Sequence, residues 1–266
     1  MTTFTARAGW HWVMQGMQLF GKQPGGLMAL FFCCMFLALL LMIVPLVGQV
    51  APFVLTPLFT VALLEGCAQV DQGKRALPNL LLSGFRQPVR SPLLLLGAVN
   101  FLLLLLAMAV LYGMAGDVLL QFKGSKPELT AEQVNSVVGA GLLASAIYTI
   151  GWLLTCLAAP LVYWQKLTVG KALFFSVVSV TRAFKPFFVA AVTLHVIYFL
   201  CCQLVMLIFG TSQVTMAGIS ALILITIVIA HCTLYISYQE IFVRNQAPPE
   251  KEAAPSDDDG APPPIN

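Results

Sequence analysis

Charge is what this chain has least of. Lys, Arg, Asp and Glu make up 9% of its 266 residues, against 59% hydrophobic residues, whereas an ordinary soluble domain carries about 25% charge. A surface this poor in charge cannot be kept in water, so lipid must be the solvent for most of the chain. Charge is also missing where an ion-coupled pump would keep it. No Asp, Glu, Lys or Arg falls in the middle of a long apolar run, and intramembrane ionisable residues mark most proton and ion pathways.

Other signatures are absent too. The chain has no Walker loop, no dinucleotide fingerprint, no nucleophile elbow and no zincin helix. Its seven cysteines form no CxxC pair and no Cys/His cluster with zinc spacing. Cys33, Cys34, Cys156, Cys201, Cys202 and Cys232 sit inside apolar runs and Cys67 closes one, the pattern of small polarizable fillers. No metal and no cofactor is therefore expected. The basic residues are too sparse and too close to apolar runs for nucleic acid. No cleavable signal is expected either, because a polar, helix-like segment precedes the first long apolar run, which begins near Gly26.

What is present is a set of apolar runs of spanning length. A membrane helix needs about 20 such residues. The runs 26–47, 50–66, 91–112, 134–164, 187–209 and 214–238 qualify. The second is short and holds Pro52 and Pro57; Pro52 is expected in a first turn and Pro57 to kink the middle. The fourth is longer than a bilayer requires, so it should tilt or project. Thr130 followed by Gln133 reads as a capping box at its start. Of the 14 Lys and Arg residues, Lys123 and Lys126 fall on one side of the membrane and all the rest on the other. The excess of cations then places both termini in the cytoplasm. Trp10, Trp12, Tyr163, Trp164, Tyr235 and Tyr238 fall at the inner boundaries, as an aromatic belt does. The segment 113–133 is the one sizeable outer loop.

A phrase recurs three times: an amphipathic stretch, an aromatic, a basic residue, a proline, then a span. Its closures are Phe20-Gly21-Lys22-Gln23-Pro24, Phe85-Arg86-Gln87-Pro88 and Phe184-Lys185-Pro186. In the first stretch Trp10, Val13, Met14, Met17 and Phe20 share a helical face; the second runs over 77–85 and the third over 171–184. Helical periodicity with a basic polar face suits an interfacial helix. Trp10, Phe20, Lys22, Phe85, Arg86, Phe184 and Lys185 are the expected interfacial anchors. Proline fits the first turn of a helix and not its interior, so it stops one helix and opens the next. The expectation is an all-α polytopic bundle of six spans, built as three units (about 7–66, 73–164 and 170–243). The domain would cover 1–244, followed by a disordered Pro- and Asp-rich tail, 245–266. Each unit enters from the same side, so the repeat is parallel, unlike the inverted repeats of many secondary transporters.

His195 and His231 are the candidate site. At 1.5 Å per residue, His195 lies roughly 12 Å from the inner end of its span and His231 at nearly the same depth, on antiparallel neighbours joined by a short turn. Asn100 and Thr155 fall at comparable depth. Such a polar level reads either as a ligand or proton site or as interhelical hydrogen bonding. Ser136, Ala140 and Ala144 permit close helix approach, within the chain or in a dimer.

Gly9-Trp10-His11-Trp12, continuing to Gly16, Leu19-Phe20 and Pro24, resembles a family of six-span proteobacterial inner-membrane proteins with no assigned activity. So does Ile43-Val44-Pro45-Leu46-Val47-Gly48, followed by Pro57 and Gly73. The resemblance implies a bacterial inner membrane and brings no site residues with it. The function expected is non-enzymatic: binding of lipid, anionic lipid included, or assembly with a membrane-protein partner or a second copy. A small transporter or channel is the alternative, and an intramembrane enzyme the third reading.

Overall fold

The structure, a computed structural model, describes residues 5–45, 47–121 and 130–244. Every regular element among them is helical: α1 (Ala6–Lys22), α2 (Pro24–Met42), α3 (Val47–Asp71), α4 (Arg90–Gln121), α5 (Ala131–Thr155), α6 (Ala158–Trp164), α7 (Val169–Arg182), α8 (Phe184–Phe209) and α9 (Gln213–Tyr238). A 3-10 helix, Pro78–Phe85, precedes α4, and a π turn, Gln239–Val243, continues α9. Six segments are long and apolar enough to cross a membrane, with α5 and α6 together making the fourth. Lys123, Lys126, Glu128 and the tail lie outside the described residues.

Several boundaries differ from expectation. α3 opens at Val47, so Pro52 falls in its second turn and Pro52 and Pro57 are both interior. The 113–133 loop is largely helix, because α4 runs on through Gln121 and α5 starts at Ala131. Apolar residues such as Met114, Val118 and Leu119 simply continue the helical pattern there. The 32 residues of α4 span about 48 Å at 1.5 Å per residue, more than a hydrocarbon core of about 30 Å. The expected capping box is present: Thr130 Oγ1 accepts from Gln133 N at 3.3 Å and Gln133 Oε1 from Thr130 N at 3.0 Å.

The fourth span is broken between α5 and α6. Pro160 has no N–H to give back to the preceding turn. Ser176 of α7 repairs the break from outside: its hydroxyl donates to the Leu154 carbonyl at 2.7 Å and accepts from Leu157 N at 3.2 Å. Periodicity puts this serine on the polar face of the third amphipathic stretch, yet it is fully buried, with Ala172 and Val180. Phe174 points outward instead, 62% exposed.

The first stretch is likewise rotated from its expected orientation. α1 buries Gly9, Trp12, Val13, Gly16 and Leu19, while Trp10 stays half exposed. Two glycines set this. A Cβ on Gly9 would stand 2.1 Å from the Pro186 carbonyl oxygen, and one on Gly16 2.6 Å from Thr233 Oγ1. Only a bare backbone lets α1 wedge against both α8 and α9. The second stretch is wound as a 3-10 helix because it is short and Gly84 rides on the backbone of Leu58 in α3; such tight turns serve short connectors well.

The core lies at the end of the bundle that carries α1, the 3-10 helix and α7, called here the basic end. Leu27, Leu30, Leu58, Leu64, Leu93, Leu161 and Tyr235 belong to one buried cluster there. Toward the opposite end the hairpins expose Phe36, Leu106, Leu142, Leu207 and Met216, as lipid-facing helices do.

Candidate functional site

The expected polar level is brought together only in part. Asn100 and Thr155 meet, with Thr155 Oγ1 donating to Asn100 Oδ1 at 3.4 Å. They line a small pocket with Thr56, Thr60 and Trp152. Its free volume of about 20 Å³ suits one water and no larger guest. The histidines turn to their own helices. His195 Nδ1 lies 2.8 Å from the Ala191 carbonyl and His231 Nδ1 2.8 Å from the Ile227 carbonyl. Each bond reaches one turn back, the local pattern by which polar side chains settle on a helix in an apolar medium. His195 is exposed on α8, whereas His231 lines a groove of which His195 is not part.

That groove is a larger, more open space than the Asn100–Thr155 pocket. It runs between α1, α5, α8 and α9, with about 130 Å³ of free volume and an open side. Trp12, Trp152, Phe187, Ala190, Leu194 and Leu234 form much of its wall. Trp152, Cys156 and Leu234 separate it from the Asn100–Thr155 pocket, since all three line both spaces.

A denser polar arrangement lies at the basic end, where the sequence suggested an aromatic belt. Trp12 Nε1 donates to Glu240 Oε2 at 2.8 Å. Glu65 accepts from Gln69 Nε2 at 3.0 Å and from Trp164 Nε1 at 3.4 Å. Tyr235 OH donates to Asp71 Oδ2 at 3.2 Å, and Lys22 Nζ stands 3.7 Å from Asp71 Oδ1. Trp164 packs edge-on to Tyr235 and tilted on Tyr238. Glu65 and Glu240 are part-buried, so each indole N–H satisfies a carboxylate that would otherwise be costly to desolvate. The layer ties α1, α3, α6 and α9 together. Its signal was the coincidence of Glu65, Asp71 and Glu240 with the belt aromatics, but the pairings join residues as much as 228 apart.

The interfacial anchors divide. Phe20 and Phe85 pack part-buried against the core. Phe184 is 56% exposed and stacks on Phe188 at 6.0 Å. Lys22, Arg86 and Lys185 are all exposed. Among the described residues, no group of three His, Cys, Asp or Glu is placed to hold a metal ion.

No family model matches the chain, and no solved structure matches it. A probable inner membrane protein of Burkholderia thailandensis is 30% identical over 254 residues, covering 90% of this chain and 92% of its own length. Gly9, Gly16 and the belt aromatics thus serve an integral membrane bundle, and the chain belongs to the same family of bacterial inner-membrane proteins as that relative.

Proposed function

We propose that the protein is a non-enzymatic inner-membrane protein, with both termini in the cytoplasm, that holds anionic lipid at its basic end. One observation carries the reading. Every described Lys and Arg is exposed, and several of them sit on or beside the short elements at the core end of the bundle: Arg7 and Lys22 on α1, Arg86 beside the 3-10 helix, Lys171 and Arg182 on α7. Each cation near an anionic surface contributes about 1 kcal/mol, and exposed apolar side chains among them, Trp10 and Leu82 for instance, suit the interface between headgroup and chain. The transporter alternative asks for a polar passage through the bundle. The Asn100–Thr155 pocket is water-sized and the larger groove is apolar, which favours the lipid reading.

The test has two arms. Single cysteines replacing Lys22, Arg86 and Lys185 are probed in cells with a membrane-impermeant maleimide. Labelling only after the inner face is opened is expected; labelling of any of the three from outside overturns the orientation. The purified protein is then reconstituted in vesicles of phosphatidylcholine with and without phosphatidylglycerol. Selective retention of phosphatidylglycerol is expected, and equal retention of both lipids overturns the function.

A further inference from the structure

We propose that the outward face of α8 is the contact between two copies of this chain, with the Gln203 amides of the two copies hydrogen-bonded to each other. The inference goes beyond the lipid reading and does not rest on it. α8 packs against α1 and α9, and of the six described spans it is the least buried. The side turned away from the bundle carries an exposed line: Val192, Val196, Phe199, Gln203 and Met206. Their spacing alternates four and three residues, the seam along which two helices pack at roughly 20°.

Gln203 names the occupant. It is exposed, and among the described residues its side chain has no hydrogen bond. It stands six residues, about 9 Å, before the end of α8 at Phe209. Met206, Leu207, Ile208 and Phe209 beyond it are exposed and apolar, as the wall of a span in hydrocarbon is. Lipid chains offer an amide no partner, and a polar group left unmet there is costly. An amide both donates and accepts, so its own copy satisfies it across a two-fold axis along the membrane normal. That axis keeps the two α8 helices parallel and brings Gln203 to Gln203 at one depth. A single polar residue in such a seam fixes the register and the number of chains.

The apolar part of the face is large enough for a pair. Val192, Val196, Phe199, Leu200, Met206 and Leu207 are 42–83% exposed, on the order of 600 Å² on each copy and roughly 1,200 Å² for two, the lower edge of the range for specific interfaces. His195 lies roughly 80° round the helix from Gln203, at the edge of the seam. Its Nδ1 donates to the Ala191 carbonyl, so Nε2 can only accept, and two such nitrogens cannot bond each other. Lys185 falls on the same face, 18 residues or about 27 Å from Gln203, at the basic end, where water and headgroups screen its charge.

Photocrosslinking of the full-length chain in cell membranes tests this, with benzoylphenylalanine in place of Phe199. Leu102 of α4, about equally exposed, carries the same probe as the control, and thermal unfolding checks that each variant is folded. An adduct of twice the chain's mass is expected from position 199 and little from position 102. Gln203→Leu should cut that yield about tenfold, as the loss of interhelical amide bonds implies. Gln203→Asn keeps the amide and should keep most of the yield. Adducts formed only with lipid, or with a different protein, overturn the proposal. So do equal yields from positions 199 and 102, which mean random encounter, and a yield that folded Gln203→Leu leaves unchanged.

Discussion

Trp12 and Glu240 lie 228 positions apart and are joined by a hydrogen bond of 2.8 Å from indole to carboxylate. The contact fastens α1 to the turn that ends α9. Trp12 has no exposed surface, and its ring meets Phe187 edge-on at 5.2 Å. One residue thus anchors the first helix to the last two by a polar contact and an aromatic one together.

Trp12→Phe separates the two contributions. The phenyl ring keeps most of the contact with Phe187 and loses the donor. A hydrogen bond to a charged group contributes about 1.5–3 kcal/mol, so unfolding in detergent should show a loss of that size. Glu240→Gln retains an acceptor oxygen and should lose about half as much or less. No loss in Glu240→Gln beside a full loss in Trp12→Phe would mean that ring packing, and not the bond, dominates.

Glycine substitutions in α1 should split by position. Gly16→Ala would put a methyl group 2.6 Å from Thr233 Oγ1 and 2.9 Å from Thr233 N, so the helices must part. Overpacking of that kind costs about 1–3 kcal/mol. Gly21 lies in the same helix, and a methyl group added there would meet nothing within 4 Å. Gly21→Ala should therefore stabilise, by about 0.5–1 kcal/mol, through helix propensity alone. Opposite signs in a thermal unfolding assay are the expected result; equal effects would remove the close approach as the reason for Gly16.

Ser176→Ala should destabilise more than an ordinary polar-to-apolar change in a membrane protein. The hydroxyl serves both sides of the α5–α6 break, and Leu157, whose N–H it accepts, is completely buried. Leaving a buried donor and a buried acceptor to find new partners costs about 1–3 kcal/mol each. Ser176→Cys, similar in size and a weaker partner, should fall between alanine and the parent. If alanine is neutral, water has taken the hydroxyl's place.

The six spans were legible because each is a long apolar run, and length alone separates them from core helices. What hydropathy hid was every contact decided by the absence or position of a single group. In α1 it grouped Trp10, Val13, Met14, Met17 and Phe20 on the apolar face of an interfacial helix, whereas Gly9 and Gly16, which carry no side chain, decide which face touches α8 and α9. In the fourth run the apolar pattern passes through Cys156–Leu157 without interruption; Pro160 was the available sign of a break, and Ser176, on another helix, was not locatable from spacing. The Asn100–Thr155 contact was inferable from depth because both sit in antiparallel neighbours. Depth placed His195 and His231 level as well, but it cannot give rotation about a helix axis, and rotation leaves His195 exposed while His231 faces the groove.

His195→Leu combined with His231→Leu decides what that level is for. Each ring bonds only the carbonyl one turn back, at 2.8 Å. Those carbonyls belong to helical turns, so losing the extra bond strands no backbone group. His195 faces outward, where leucine suits lipid better than imidazole, and His231 faces a groove whose walls are already apolar. The double variant should therefore unfold at a temperature equal to or slightly above that of the parent, and should retain phosphatidylglycerol as the parent does. A growth or transport phenotype in cells carrying a stable double variant would instead make the histidines a proton or ligand relay, and would favour a transporter over a lipid-holding protein.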